Sequence, residues 1–260
     1  MTYKQYVSTV SKYLYKKMPT INKNFIDFIY NKYSLYTKNN STPFILAISG
    51  SVASGKTYLS NLIKNSLLET HVDLKISIVT SDSFLYPKAY LIENNIMNQK
   101  GFPISYNKDE LFNFLKAVKS NKFPISIPIY SHELYDTLST RDVLNKCDII
   151  IFEGVINIQD IEYKNARILE FYDLKIFINA SVDNLRKWYT DRFFDNVKKS
   201  EDNPNSRFAK YINLPKSCIL KNCNELWEKV NYTNLVNFIE PSMKNADIVI
   251  YKNSSHEFEF

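Results

Sequence analysis

Glycine is scarce in this chain: 4 residues in 260, where average usage would give about 18. A sequence so poor in glycine keeps it where a side chain cannot be accommodated, so Gly50, Gly55, Gly101 and Gly154 each mark a special backbone position. Cysteine is rare too. Cys147, Cys218 and Cys223 are too few and too unevenly spaced for a disulfide framework and lack a companion Cys or His pair for zinc, so all three are read as reduced packing residues. Long apolar runs are missing. Residues 44–48 and 149–152 fall far short of a bilayer span, which excludes a membrane helix. The start, Met1-Thr2-Tyr3-Lys4-Gln5-Tyr6, has no long apolar stretch after a basic beginning, so no secretory signal is read and the cytosol is the expected location. No basic block with interleaved aromatics stands out, so nucleic acid is not an expected partner. The net charge of +6 is a lysine surplus spread along the chain, with arginine only at Arg141, Arg167, Arg186, Arg192 and Arg207.

What is present is the composition of a folded protein, 45% hydrophobic and 23% charged. Two of the four glycines lie in one octapeptide. Gly50-Ser51-Val52-Ala53-Ser54-Gly55-Lys56-Thr57 matches the phosphate-loop pattern G-x-x-x-x-G-K-[ST] in full. The apolar run before it reads as a buried parallel strand, and residues 58–68 after it carry apolar side chains at helical spacing. In that order, successive backbone N–H groups and the positive end of the helix surround the phosphates of a nucleotide. Lys56 would reach the terminal phosphates and Thr57 would offer its hydroxyl to magnesium.

Further strands follow over residues 74–80, 148–152, 174–178 and 247–251, with helices over 182–195 and 215–238. Alternating strands and helices predict an α/β fold with three layers and a mainly parallel, doubly wound sheet. Residues 1–40 read as an N-terminal extension of one or two amphipathic helices packed on a single domain over 41–260. The second strand leads into Ser81-Asp82 and the third delivers Glu153-Gly154. An acid just past the C-terminal end of a parallel strand lies on the ligand-binding edge, so Asp82 is the candidate general base and Glu153 the candidate magnesium ligand. Asn145-Lys146-Cys147-Asp148 matches the N-K-x-D guanine signature. It precedes its strand, however, and so is expected on the opposite edge, against a GTPase reading.

With these residues placed, residues 44–256 resemble the bacterial type I pantothenate kinases, P-loop kinases related to uridine kinase and phosphoribulokinase. The likeness rests on several local motifs in that family's order. They are the phosphate loop, Thr80-Ser81-Asp82-Ser83-Phe84-Leu85, Lys100-Gly101-Phe102-Pro103-Ile104-Ser105-Tyr106, Phe152-Glu153-Gly154, Asn231-Tyr232-Thr233-Asn234-Leu235 and Asn253-Ser254-Ser255-His256. Two more specific runs complete it: residues 128–136, from Pro128 through Tyr130, His132 and Tyr135 to Asp136, and residues 188–193 with Trp188, Tyr189 and Arg192. The resemblance implies transfer of the ATP γ-phosphoryl group to the primary hydroxyl of pantothenate, the first step towards coenzyme A. It implies Asp82, Lys56 and Arg192 as catalytic residues, Gly50, Ser51, Val52, Ala53, Ser54, Gly55, Lys56, Thr57 and His256 for ATP, and Thr57 and Glu153 for Mg2+. Lys100, Tyr130, His132, Tyr135, Tyr189, Arg192 and Asn231 would face pantothenate.

Phosphoryl transfer needs positioning and charge neutralisation more than covalent catalysis, so cations and one oriented carboxylate form a sufficient set. The family usually carries an arginine where Asn61 stands and an aromatic where Asn196 stands, both associated with feedback inhibition by coenzyme A. Weakened or altered inhibition is therefore expected. A homodimer is expected from the family's habit. The competing readings are another small-molecule kinase of the superfamily, acting on uridine or a sugar, and a nucleotide-binding regulator without turnover.

Overall fold

The computed structural model describes residues 22–259. The chain runs α1 (Lys23–Thr37), β1 (Phe44–Gly50), α2 (Lys56–Thr70), β2 (Ile76–Thr80), α3 (Lys88–Glu93), α4 (Lys108–Lys119), β3 (Ile125–Ser131), β4 (Asp136–Leu144) and β5 (Ile149–Glu153). It continues through the short ribbon β6 (Glu162–Tyr163) and β7 (Ala166–Arg167) to β8 (Leu174–Asn179), α5 (Val182–Lys199), α6 (Lys216–Leu226), β9 (Ile248–Lys252) and β10 (Phe258–Glu259).

One sheet has the order β10-β9-β8-β1-β5-β2, parallel throughout except for β10 at its edge. The period of two in β1 and β5 explains the three layers. Phe44, Leu46, Ile48, Ile149 and Ile151 point to the face covered by α1 and α2. Ile45, Ala47, Ile150 and Phe152 point to the other, where residues of α4 and α5 pack. Both strands are buried along their whole length, as a central parallel pair requires. The α/β, doubly wound reading of the sequence is what the fold has.

The lower end of this sheet is fastened by aspartates. Asp148, Asp173 and Asp247 each precede a strand, and their Oδ2 atoms accept from the backbone N–H of Lys75, Ile45 and Lys175, each at 2.7 Å. These carboxylates satisfy donors that a strand end would otherwise leave unpaired. They also explain two boundaries: Lys75 and Asp247 belong to the fastenings, and the strands begin at Ile76 and Ile248. Asp148 of the N-K-x-D tetrapeptide is thus a structural cap at the end of the sheet away from the phosphate loop.

Helix α1 buries Phe25, Ile26 and Ile29 on the α2 side, and Tyr30 stacks on His71 at 3.5 Å between ring centroids. The expected helix or helices before Asn22 lie outside the described residues. Three expectations need correction. Cys147 and Cys223 are buried, but Cys218 lies exposed on α6 and is not a packing residue of the core. The span 215–238 is not one regular helix: α6 ends at Leu226 and widens into π-helical turns over Trp227–Tyr232 and Leu235–Ile239. Polar side chains compete for the backbone there, Asn231 Nδ2 bonding Leu226 O at 3.4 Å and Thr233 Oγ1 bonding Glu228 O at 2.9 Å. Finally, β3 and β4 form an antiparallel hairpin of their own, which the α/β reading did not foresee. Pro128 has no N–H to give, and the register shifts between Pro128 and Tyr130.

Candidate active site

Strand β1 delivers the phosphate loop. Gly55 has φ +96°, a left-handed conformation that favours glycine, and a Cβ there would lie 2.9 Å from Lys252 Nζ, the movable end of a flexible side chain. Ala53 also has positive φ, 64°. The hydroxyls of Ser51 and Ser54 are buried without a partner, which suits a cradle for an anion. Lys56 Nζ donates to the carbonyls of Gly50 (3.1 Å) and Ser51 (2.9 Å). Burial lowers its pKa, opposed by the charges of Glu153 and Asp82 and assisted by that of Arg192.

Register then brings the acids alongside. Ile48 of β1 pairs with Glu153 of β5, and Glu153 with Thr80 of β2, so Glu153 sits between the loop and Asp82. Thr57 Oγ1 donates to Glu153 Oε1 at 3.0 Å. Burial raises the Glu153 carboxyl, and Lys56 pulls it back. The close approach of β5 and β2 needs Gly154, where a Cβ would collide with Ser81 Oγ. A hydroxyl and a carboxylate suit a hard divalent cation. No group of three or more His, Cys, Asp or Glu that could hold a metal exists among the described residues, so Thr57 and Glu153 would hold an ion only together with ligands from elsewhere.

Asp82 opens a tight turn after β2, its N–H bonded to Thr80 Oγ1 at 3.3 Å. Its Oδ1 accepts from Tyr106 Oη at 3.2 Å, and its Oδ2 lies 3.9 Å from His132 Nε2. Burial first, then the Asp82 charge, pushes the Tyr106 phenol well above its usual range, so it stays a donor. The hairpin hangs over this turn. Thr137 Oγ1 bonds Leu85 O at 3.1 Å, and Asp136 Oδ1 accepts from Lys88 N at 2.7 Å.

A second cluster sits beside the first. Lys100 is only 5% exposed, its Nζ bonded to Tyr135 O at 2.6 Å and lying 4.0 Å and 4.9 Å from the centroids of the Tyr135 and Tyr130 rings. Tyr135 holds φ +57°, a costly conformation for an aromatic and one that clusters at functional sites. Gly101, next to Lys100, is tied to the C-terminal π-helical turn by Asn234 Nδ2 at 2.9 Å. Tyr189 is buried on α5 against Trp227, and desolvation pushes its phenol up to about 12, with Asn231 bonding the hydroxyl. Arg192, one turn further on, is exposed and exerts its charge on Lys56, His132 and Tyr189. His256 stands apart. It is exposed at a turn with φ +65°, its ring 4.6 Å from Trp188, on the Lys252 side of the loop.

The sequence-predicted residues therefore fall into the loop with Glu153 (Gly50 to Thr57, Glu153), a cluster formed by Asp82, Lys100 and the hairpin (Asp82, Lys100, Tyr130, His132, Tyr135) and a flank on α5 and the π-helical turns (Tyr189, Arg192, Asn231). Three residues went unnoticed. Tyr106 closes a motif already singled out, but nothing local joins its hydroxyl to Asp82. Arg207 lies with its Cζ 4.0 Å from the Tyr135 ring centroid, in a stretch without periodicity; the rarity of arginine was its only signal. Lys252 ends β9 with its Nζ 4.3 Å from the Trp188 ring centroid.

The model of the phosphoribulokinase / uridine kinase family matches residues 45–192, the class that the loop and sheet define. A pantothenate kinase of Streptococcus pneumoniae (strain 70585) is 36% identical over 226 residues, 86% of this chain and 74% of that protein. The chain belongs to the phosphoribulokinase / uridine kinase family and, within it, to the pantothenate kinases. Among solved structures, a D-glycerate 3-kinase from Cryptococcus neoformans superposes with TM-score 0.66 at 13% identity, covering 92% of this chain and 97% of that one. Phosphoribulokinase from Rhodobacter spheroides gives 0.51 at 12%, over 81% and 70%. These two likenesses show the fold alone. No described helix is long and apolar enough to cross a membrane.

Lys252 yields a stability prediction. Desolvation lowers its pKa to about 8. The unfolded chain holds this proton more tightly, so the folded state bears the cost of the buried charge below about pH 8 and loses it as pH climbs towards the ordinary lysine value. Lys252→Met should raise the thermal midpoint at pH 7 by about 2–4 °C, with the gain shrinking above pH 9. A calorimetric series from pH 6 to 10 checks both sign and trend.

Proposed function

We propose that this chain transfers the γ-phosphoryl group of ATP to the primary hydroxyl of pantothenate, giving 4′-phosphopantothenate. The observation that carries the reading is a convergence at one end of the sheet: an anion-cradling loop, Asp82 close to its lysine, and a hairpin that sets His132 beside Asp82 and Tyr130 and Tyr135 about Lys100. Family membership supports the acceptor.

Phosphoryl transfer makes one O–P bond and breaks another, with negative charge shifting onto the leaving ADP. Asp82 orients the acceptor hydroxyl and takes its proton; Lys56 and Arg192 neutralise charge on the transferring group. Thr57 and Glu153 would hold magnesium, which when bound screens the phosphate oxygens. Lys100, Tyr130, Tyr135, Tyr189 and Asn231 would engage the carboxylate, amide and secondary hydroxyl of pantothenate, with Val52, Ala53 and the other loop amides on the phosphates and His256 by the adenine. A cytosolic homodimer is the form proposed on family grounds, to be tested by fractionation and sedimentation.

An ADP-release assay with pantothenate, uridine, glycerate and ribulose 5-phosphate side by side tests the substrate; turnover confined to the last three would refute the proposal. Asp82→Asn should lower turnover by about 10²- to 10⁴-fold with ATP binding retained, and a near-normal rate would remove Asp82 from the mechanism.

Lys100 supplies a pH dependence. Burial brings its pKa to about 8; Asp136 and Asp82 pull it up while Arg207 and Lys88 push it down. Its charge is complete below about pH 7 and is lost as pH rises through 8, so the KM for pantothenate should be flat from pH 6 to 7 and climb above 8. Lys100→Met should flatten that rise.

For coenzyme A, Asn61 Nδ2 bonds Thr57 O at 2.7 Å, a neutral amide engaged with its own helix where the family has a cation. Competition of coenzyme A with ATP should be weak; ordinary potency would contradict this.

A further inference from the structure

Arginine is sparse here, and the members of this small set do different things. Arg141, Arg167 and Arg186 each pair with a surface carboxylate, of Glu110, Asp160 and Glu228. Arg207 has no ion pair among the described residues. It is half-buried, its Nε lies out of contact with solvent without a hydrogen-bond partner, and its Cζ lies 4.0 Å from the Tyr135 ring centroid and 4.4 Å from that of Phe208.

Its position is set in advance by the backbone. Arg207 N donates to Glu133 O at 2.9 Å, at the tip of the hairpin, and Asn203 Nδ2 bonds Glu133 Oε2 at 3.2 Å. Next to it Ser206 is buried, its Oγ 2.7 Å from Ser200 Oγ and accepting from Phe208 N at 3.2 Å. The guanidinium is thus carried on a fastened segment, and its charge is felt at Lys100, Tyr130, Tyr135 and Tyr189, the residues that surround the acceptor position. Lys100 lies as close to the Tyr135 ring as Arg207 does, 4.0 Å in each case. Two cations gathered about one phenol repel each other, and Asp136 is the acid that acts most on Lys100. Such an arrangement is stabilised by an anion brought in from outside.

We infer that Arg207 is a specificity-determining residue that binds the carboxylate of the acceptor, so that the site selects an alcohol bearing a carboxylate over its neutral amide. The inference rests on the proposed acceptor and adds to it a residue outside the motifs of the resemblance. Guanidinium is suited to this task because its planar fork meets a carboxylate with two parallel hydrogen bonds, which an ammonium cannot do.

The test compares pantothenate with a pantothenamide, in which an N-alkyl amide replaces the carboxylate, on wild type, Arg207→Leu and Arg207→Lys. Arg207→Leu should raise the KM for pantothenate by about 10- to 100-fold, the range for a charge-assisted bond. The KM values for the pantothenamide and for ATP should stay within about twofold, since they lack that bond. Arg207→Lys should recover part of the loss and covers the case in which the leucine variant does not fold. Equal rises for both acceptors, or no rise for either, would overturn the inference. Failure of the wild type to phosphorylate pantothenate would instead refute the proposed function, so the two failures are told apart.

Discussion

The register of three adjacent parallel strands governs everything functional in this molecule. Ile48, Glu153 and Thr80 are aligned across β1, β5 and β2, so the residues that follow them emerge side by side at one end of the sheet. From that alignment come the Thr57–Glu153 hydrogen bond, the contact of Gly154 with Ser81 and the place of Asp82 next to the loop. A shift of one residue in β5 would turn Glu153 to the opposite face and put apolar side chains in its place. At the far end of the sheet Asp148 ties the start of β5 to that of β2, while Asp173 and Asp247 tie β8 to β1 and β9 to β8.

Charge is concentrated where the strands end. Lys56, Glu153 and Lys100 are all withdrawn from water, each with its pKa moved by desolvation, and opposite charges only partly offset the penalty. A site of this kind is costly to the empty protein and favourable once phosphates and an anionic acceptor enter, because its dipoles and charges are already oriented. The unpartnered hydroxyls of Ser51 and Ser54 and the unpartnered Arg207 Nε belong to the same pattern.

Much of this was legible in the residue order. The phosphate loop is a contiguous pattern, and buried parallel strands announce themselves as short apolar runs, so β1, β5, β8 and β9 were located within one or two residues. Asp82 and Glu153 could be named because each directly follows such a run. The hairpin was harder. Strands β3 and β4 are half-exposed and interrupted by Pro128, so their alternation is weak. The π-helical turns were hidden because the backward bonds of Asn231 and Thr233, which accompany the first of them, leave the apolar periodicity of a helix nearly intact.

By itself the sequence determined the class of fold, the anion-binding loop and the two acids beside it, since each depends on neighbours close along the chain. Only the tertiary structure decided that Tyr106 holds one oxygen of Asp82 while His132 faces the other, and that Lys100 and Arg207 meet at Tyr135. The physical reason is separation. Asp82 and Tyr106 lie 24 residues apart with α3 between them, and Tyr135 and Arg207 are separated by the chain from β4 through α5. Such contacts exist only once the backbone has closed those loops, and no local pattern of side chains encodes the distance between their ends.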